Sequence, residues 1–87
     1  MKTAIYPGSF DPVTLGHLNI IKRAAQCFDR VIVCVMVNSK KHGLFTPEER
    51  VELIRRVVAK LPNVEAELGP GLLADFAVAH GAQAIVR

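Results

Sequence analysis

The sequence predicts an α/β fold: a parallel β-sheet with helices on both faces. Three observations lead there. Short apolar segments of strand character alternate with longer segments whose apolar residues recur at helical spacing. One segment, residues 31–37 (Val-Ile-Val-Cys-Val-Met-Val), is apolar without interruption, as in a strand buried on both faces of a parallel sheet. The connections between segments are short, and strand–helix–strand alternation with short connections implies right-handed crossovers between parallel strands.

The elements follow in order. Residues 2–6 form a first strand, which enters a turn rich in Gly and Pro, Pro7-Gly8-Ser9-Phe10-Asp11-Pro12. Residues 14–28 form a first helix capped by Thr14, with Leu18, Ile21, Ala25 and Phe28 on one face and Leu15 extending it. Asp11 is expected to cap the turn before it. Residues 30–37 are the second strand, and a polar loop follows at 38–44. Thr46-Pro47-Glu48-Glu49 is a strong helix start, with Thr46 as N-cap, Pro47 at the first helical position and Glu49 closing a capping box. That second helix is expected to run to about Leu61, with Val51, Leu53, Ile54, Val57, Val58 and Leu61 available to the core. Residues 63–67 form a third strand, 72–80 a third helix ended by a left-handed Gly81, and 83–87 a fourth strand. The domain is single, 1–87, and its finish on an apolar strand predicts truncation at the C-terminal side.

Composition narrows the function. A hydrophobic fraction of 51 % in 87 residues suits a well-covered sheet and argues against a disordered tail. The net charge of +3 suits anionic small molecules, and its dispersal, apart from Lys40-Lys41-His42, argues against nucleic acid. No apolar run approaches the roughly 20 residues of a membrane-spanning helix, and no secretory signal precedes the first strand. Cys27 and Cys34 form no CxxC and read as reduced, buried thiols.

The chemistry concentrates in Gly8 through His17. A strand that turns through glycine into a helix start presents unpaired backbone amides, and the positive end of the helix dipole, to an anion. A histidine in that first turn adds a movable proton or charge. The alternative for His17 is a residue that merely caps or packs. Lys40 and Lys41 lie beyond the carboxyl end of a strand, where open α/β sheets bind ligands.

Gly8-Ser9-Phe10-Asp11-Pro12 followed by Thr14-Leu15-Gly16-His17 resembles the (H/T)xGH signature of the nucleotidyltransferase superfamily. Lys40-Lys41, Phe45-Thr46-x-Glu48-Glu49-Arg50, Gly71-Leu72-Leu73-x-Asp75-Phe76-Ala77 and Ile85-Val86-Arg87 narrow the resemblance to the bacterial phosphopantetheine adenylyltransferases, over the N-terminal half of their usual length. The resemblance implies a Rossmann-like sheet of order 3-2-1-4. It implies transfer of AMP from Mg-ATP to 4′-phosphopantetheine, giving dephospho-coenzyme A and pyrophosphate, with Mg2+ arriving on ATP and no protein-held metal. By the same resemblance, Ser9 and Phe10 lie in the loop that touches ATP, with Ser9 between donor and acceptor, and His17 stabilises the transition state on the ATP phosphates. Lys41, or its neighbour Lys40, contacts the acceptor phosphate, Leu73 the pantetheine arm and Arg87 the acceptor phosphate again. A cytoplasmic homohexamer with coenzyme A as feedback inhibitor is further implied. Two alternatives stand beside it: a superfamily enzyme acting on nicotinate mononucleotide or glycerol phosphate, and a non-catalytic ligand-binding half-domain.

Overall fold

The apolar run at 31–35 is the centre around which the other strands assemble: all five side chains are fully buried. The computed structural model describes residues 2–36, 45–69, 79 and 81–86. Its elements are β1 (Thr3–Gly8), α1 (Leu15–Cys27), β2 (Arg30–Met36), α2 (Pro47–Val57), β3 (Val64–Gly69) and β4 (Ala84–Ile85). They make one four-stranded sheet in the order β3-β2-β1-β4 with every neighbouring pair parallel, the expected order. The register sets Ile5 beside Ile32 and Val33 beside Ala66, so apolar side chains stack in rows across the sheet.

Strand β1 runs two residues further than the apolar segment suggested, through Pro7 and Gly8, which lie opposite Cys34 and Val35. A proline is tolerated there because of which side its missing N–H faces. Thr3 and Ile5 turn their carbonyls toward β4, accepting from Gln83 and Val86, so Pro7 faces that side too. Among the described residues the last β1–β4 pair is Ile5 with Ile85, so none of the described ladder bonds needs a Pro7 N–H.

Both described helices pack on one face. Ile21 and Ala24 of α1, with Val51 and Ile54 of α2 and Val58 just beyond it, close over Tyr6, Val31, Val33 and Val35. Ile5, Ile32 and Cys34 point the other way and are fully buried, with Met36 and Ala82 against them. The third helix expected over 72–80 falls, apart from Ala79, outside the described residues. Gly81 has the expected left-handed φ of 64°. Among the described residues no helix is long and apolar enough to cross a membrane.

Several expectations need correction. Leu15 is 85 % exposed instead of extending the buried face. At about 100° per residue it lies about 180° round the helix from buried Ala24, on the solvent side. The second helix ends at Val57, short of Leu61, and Val57 is 45 % exposed on the flank of a stripe made by Arg50, Val51 and Ile54. Both thiols are free, but only Cys34 is buried; Cys27 lies on the open flank of α1.

Both helix starts form as expected. Thr46 accepts from the Glu49 amide at 3.1 Å while the Glu49 carboxylate accepts from the Thr46 amide at 2.9 Å. At the opposite edge of the sheet, Asn63 donates through Nδ2 to the carbonyls of Ala25 (2.9 Å) and Phe28 (3.1 Å), satisfying the end of α1.

Candidate functional site

The carboxyl edge of β1 delivers the chain into the loop that carries the phosphate-binding pattern. Gly8 ends the strand, Ser9 is exposed, and Phe10 folds back into the core at 2 % exposure with a φ of 47°. Positive φ is uncommon for a bulky residue and persists where surroundings over-determine it. The Phe10 ring explains why position 8 is glycine. A Cβ there would meet Phe10 Cε2 and Cζ at 3.0 Å.

Thr14 then caps α1. Its Oγ1 accepts from the His17 amide at 3.3 Å, and its carbonyl accepts from the Leu18 amide at 3.0 Å. The amides of Leu15 and Gly16 are left with no partner among the described residues, at the positive end of the helix dipole. Gly16 adds no bulk: a Cβ there would touch only Thr14 Oγ1, at 3.6 Å. This bare first turn can hold an anion by its backbone.

His17 completes the cap with its side chain, a task usually given to Glu or Gln. Its Nδ1 accepts from the Thr14 amide at 3.0 Å. Because Nδ1 is the acceptor, the neutral ring carries its proton on Nε2, an assignment that rests on these partners. The Phe10 ring stands edge-on to the imidazole at 4.9 Å and 74°, and Tyr6 lies at 6.3 Å and 64°. Tyr6 also meets Phe10 edge-on at 5.2 Å, and burial pushes the Tyr6 hydroxyl pKa up. The ring is thus held by the Thr14 amide and by the Thr14 hydroxyl at 3.1 Å, both on Nδ1, and by two aromatic edges. Capping and donation from Nε2 use different atoms of the same residue.

Asp11 is engaged across the fold. Its Oδ1 accepts from the Phe45 amide at 2.9 Å, and its Oδ2 lies 3.4 Å from Arg50 Nη2. Arg50 Nε in turn donates to the Phe45 carbonyl at 2.9 Å. Neither the Asp11–Phe45 link nor the burial of Arg50 was anticipated from sequence. A signal existed: Arg50 lies four residues before Ile54, on the core stripe of α2.

Of the sequence-derived site residues, the structure brings Ser9 and Phe10 of the loop together with His17 in the first turn of α1, with Phe10 against His17. What Phe10 can offer a ligand is its backbone, because its side chain is buried. Lys40, Lys41, Leu73 and Arg87 lie outside the described residues. Size of hollow does not mark this site: the open cavity of about 410 Å³ between α2 and β3 contains none of the loop residues. The loop stands out by its chemistry.

A family model described as cytidylyltransferase-like matches residues 5–87. Over all 87 residues the chain is 60 % identical to a phosphopantetheine adenylyltransferase of Clostridium kluyveri and 55 % identical to one of Clostridium botulinum. Each alignment covers 100 % of this chain and 53 % of the relative, so the chain spans about half the length of the curated relatives it matches. Among solved structures, a lipopolysaccharide core biosynthesis protein from Thermoplasma volcanium superposes with a TM-score of 0.79 at 26 % identity, covering 98 % of this chain and 72 % of the other.

Proposed function

Because the chain belongs to the cytidylyltransferase-like family, we propose that it serves adenylyl transfer from Mg-ATP to 4′-phosphopantetheine, giving dephospho-coenzyme A and pyrophosphate. The observation that carries this reading is the 60 % identity, over the whole chain, to a phosphopantetheine adenylyltransferase. The geometry supports a role for the loop in it. An oxygen of the acceptor phosphate attacks the α-phosphorus of ATP in line, the bond to the β-phosphate oxygen breaks, and pyrophosphate leaves with the electron pair. Such a reaction asks for positioning and for donors aimed at developing charge, without a protein nucleophile. The Leu15 and Gly16 amides cradle phosphate oxygens, and His17 donates from Nε2 to the charge that builds between the α- and β-phosphates. Ser9, exposed at the tip of the loop, stands between the two substrates.

Mg2+ belongs to the substrate in this reading. Asp11 is engaged by Phe45 and Arg50. On the acceptor side, the family resemblance assigns Lys41 or Lys40 and Arg87 to the phosphate and Leu73 to the pantetheine arm. A cytoplasmic homohexamer under coenzyme A feedback belongs to the same proposal.

The test is pyrophosphate release by the full-length protein with ATP and each acceptor in turn: 4′-phosphopantetheine, nicotinate mononucleotide and glycerol phosphate. Turnover is expected with the first alone. Two variants separate capping from chemistry. His17→Gln keeps an oxygen that can close the capping box but takes its amide N–H donors off the position of the ring Nε2–H; His17→Ala removes cap and donor together. Both are expected to lose roughly 10²–10³ in kcat, and only His17→Ala to lose stability as well. Near-normal turnover by either variant overturns the role given to His17. The same assay on the 87-residue polypeptide decides between turnover and a module that holds its ligands without reaction.

A further inference from the structure

Arg50 is a charged side chain on a core stripe. It lies beside Val51 and four residues before Ile54 on the buried face of α2, with its side chain 9 % exposed. Arginine is almost never buried unless paired. Its partner, Asp11, is also mostly covered, at 18 % side-chain exposure. An apolar residue at position 50 would fill such a place without desolvating a charge, so stability alone does not account for the pair.

The geometry around the pair is specific. The Phe45 peptide is gripped on both sides, its N–H by Asp11 Oδ1 at 2.9 Å and its C=O by Arg50 Nε at 2.9 Å. A second guanidinium nitrogen, Nη2, faces Asp11 Oδ2 at 3.4 Å and closes the ring of contacts. Only a planar guanidinium reaches both acceptors from one fixed side chain; a lysine offers a single point charge. Through this ring, a rigid helix holds the loop at the residue that follows Phe10. Phe10, in turn, sets its ring against the imidazole of His17.

We propose that Arg50 and Asp11 are positioning residues for the loop that carries Ser9 and Phe10, acting through Phe10 on the orientation of the His17 ring. The relay runs Arg50, Asp11, Phe10, His17. It fixes the reacting geometry and leaves ground-state affinity for ATP little changed. The inference rests on the adenylyl-transfer reading for its kinetic consequence, but the placement of the His17 ring is measurable without any reaction.

The experiment uses the full-length protein with Arg50→Met, Arg50→Lys, Asp11→Asn, the Asp11→Asn/Arg50→Met pair, and Arg56→Ala as control. The control removes an exposed ion pair to Glu52 on the same helix. Three quantities are read: melting temperature, kcat and KM for ATP, and the ¹⁵N and ¹³C resonances of the His17 ring without ligand. In folded Arg50→Met, kcat is expected to fall about 100-fold with KM for ATP within about threefold, and the His17 resonances to move. Asp11→Asn keeps an oxygen for the Phe45 amide and is expected to lose about tenfold. The pair should lose no more than Arg50→Met alone, because both act through one relay.

A folded Arg50→Met with wild-type kcat and unmoved His17 resonances overturns the proposal, as does a fully additive double variant. If Arg50→Met does not fold, Asp11→Asn decides on the same readouts. Absence of adenylyl transfer in the wild-type protein would sink the functional reading alone, since the His17 resonances still report the relay.

Discussion

Gly8→Ala is the substitution whose consequences follow most directly from distances. Gly8 does not have the left-handed φ seen at Gly81, so alanine is acceptable to the backbone. The obstacle is the Phe10 ring, two of whose carbons would stand 3.0 Å from the new Cβ. Carbon–carbon contacts settle at about 3.5–4.0 Å, so the ring must move by about 0.5 Å. It has little room, with Tyr6 at 5.2 Å on one side and His17 at 4.9 Å on another. Overpacking of this kind costs about 1–3 kcal/mol. The added methyl returns about 0.8 kcal/mol by burial, and the stiffer unfolded chain about 0.4–1 kcal/mol. The net loss is therefore about 0.5 kcal/mol, or a melting temperature lower by roughly 2–4 °C in a domain of this size.

Catalysis should suffer more than stability. Displacing the Phe10 ring displaces the imidazole it holds, and a misplacement near 0.5 Å is expected to cost about tenfold or more in kcat. Thermal melts and pyrophosphate release on the same preparations measure both. Adding Phe10→Leu to Gly8→Ala relieves the clash but gives up core packing, so turnover should stay low. Wild-type turnover in folded Gly8→Ala would refute the idea that Phe10 orients His17. Recovery of turnover in the double variant would refute it equally.

The remaining expectations concern the thiols and the amino edge of the sheet. Cys27 is exposed and Cys34 fully buried, so a disulfide reagent at pH 8 should titrate one thiol quickly in the native chain and the second only in denaturant. Burial, and secondarily the charge of Glu67, pushes the Cys34 thiol up to about 11 from 9.0. The folded state then keeps a proton that the unfolded state releases, so this contribution is full below pH 9 and is lost as pH rises to about 11. Its size is about 2–3 kcal/mol, and urea midpoints across that window should fall less steeply in Cys34→Ala; an equal slope would refute the assignment. Asn63→Ala removes two hydrogen bonds from the end of α1 and should cost about 1–2 kcal/mol with turnover unchanged, since it lies at the edge opposite the loop. A fall in kcat there would contradict that separation.

What could be read in advance was whatever local chemistry decides. The apolar run of β2 has no alternative to a buried strand, and Thr46-Pro47-Glu48-Glu49 forms its capping box from residues within one turn. What could not be read depends on where neighbours stand. Pro7 looks like the end of a strand until its nitrogen is known to face away from β2, on the side where Thr3 and Ile5 meet β4. Leu15 matches a helical repeat when counted from Leu18, yet the sheet selects the side of α1 centred on Ile21 and Ala24. Arg50 reads as surface charge until Asp11, distant in sequence, arrives to meet it.

His17 shows why the site was only partly legible. From sequence, a histidine in a helix's first turn presents a choice between a capping residue and a reacting one. The structure shows the capping role, and because capping uses Nδ1 it is compatible with the donor role proposed for Nε2. A Glu or Gln would close the same box, but neither would present an N–H at the place of Nε2 on a ring held by Phe10 and Tyr6. The cap thereby bears on the proposed site: it selects the tautomer and ties the ring to Thr14 in the same first turn that leaves the Leu15 and Gly16 amides bare. Spacing can show that His17 and Thr14 fall three residues apart, as a capping box requires. It cannot show that the strained backbone at Phe10, the missing side chain at Gly8 and the distant Arg50–Asp11 pair all bear on the orientation of one imidazole.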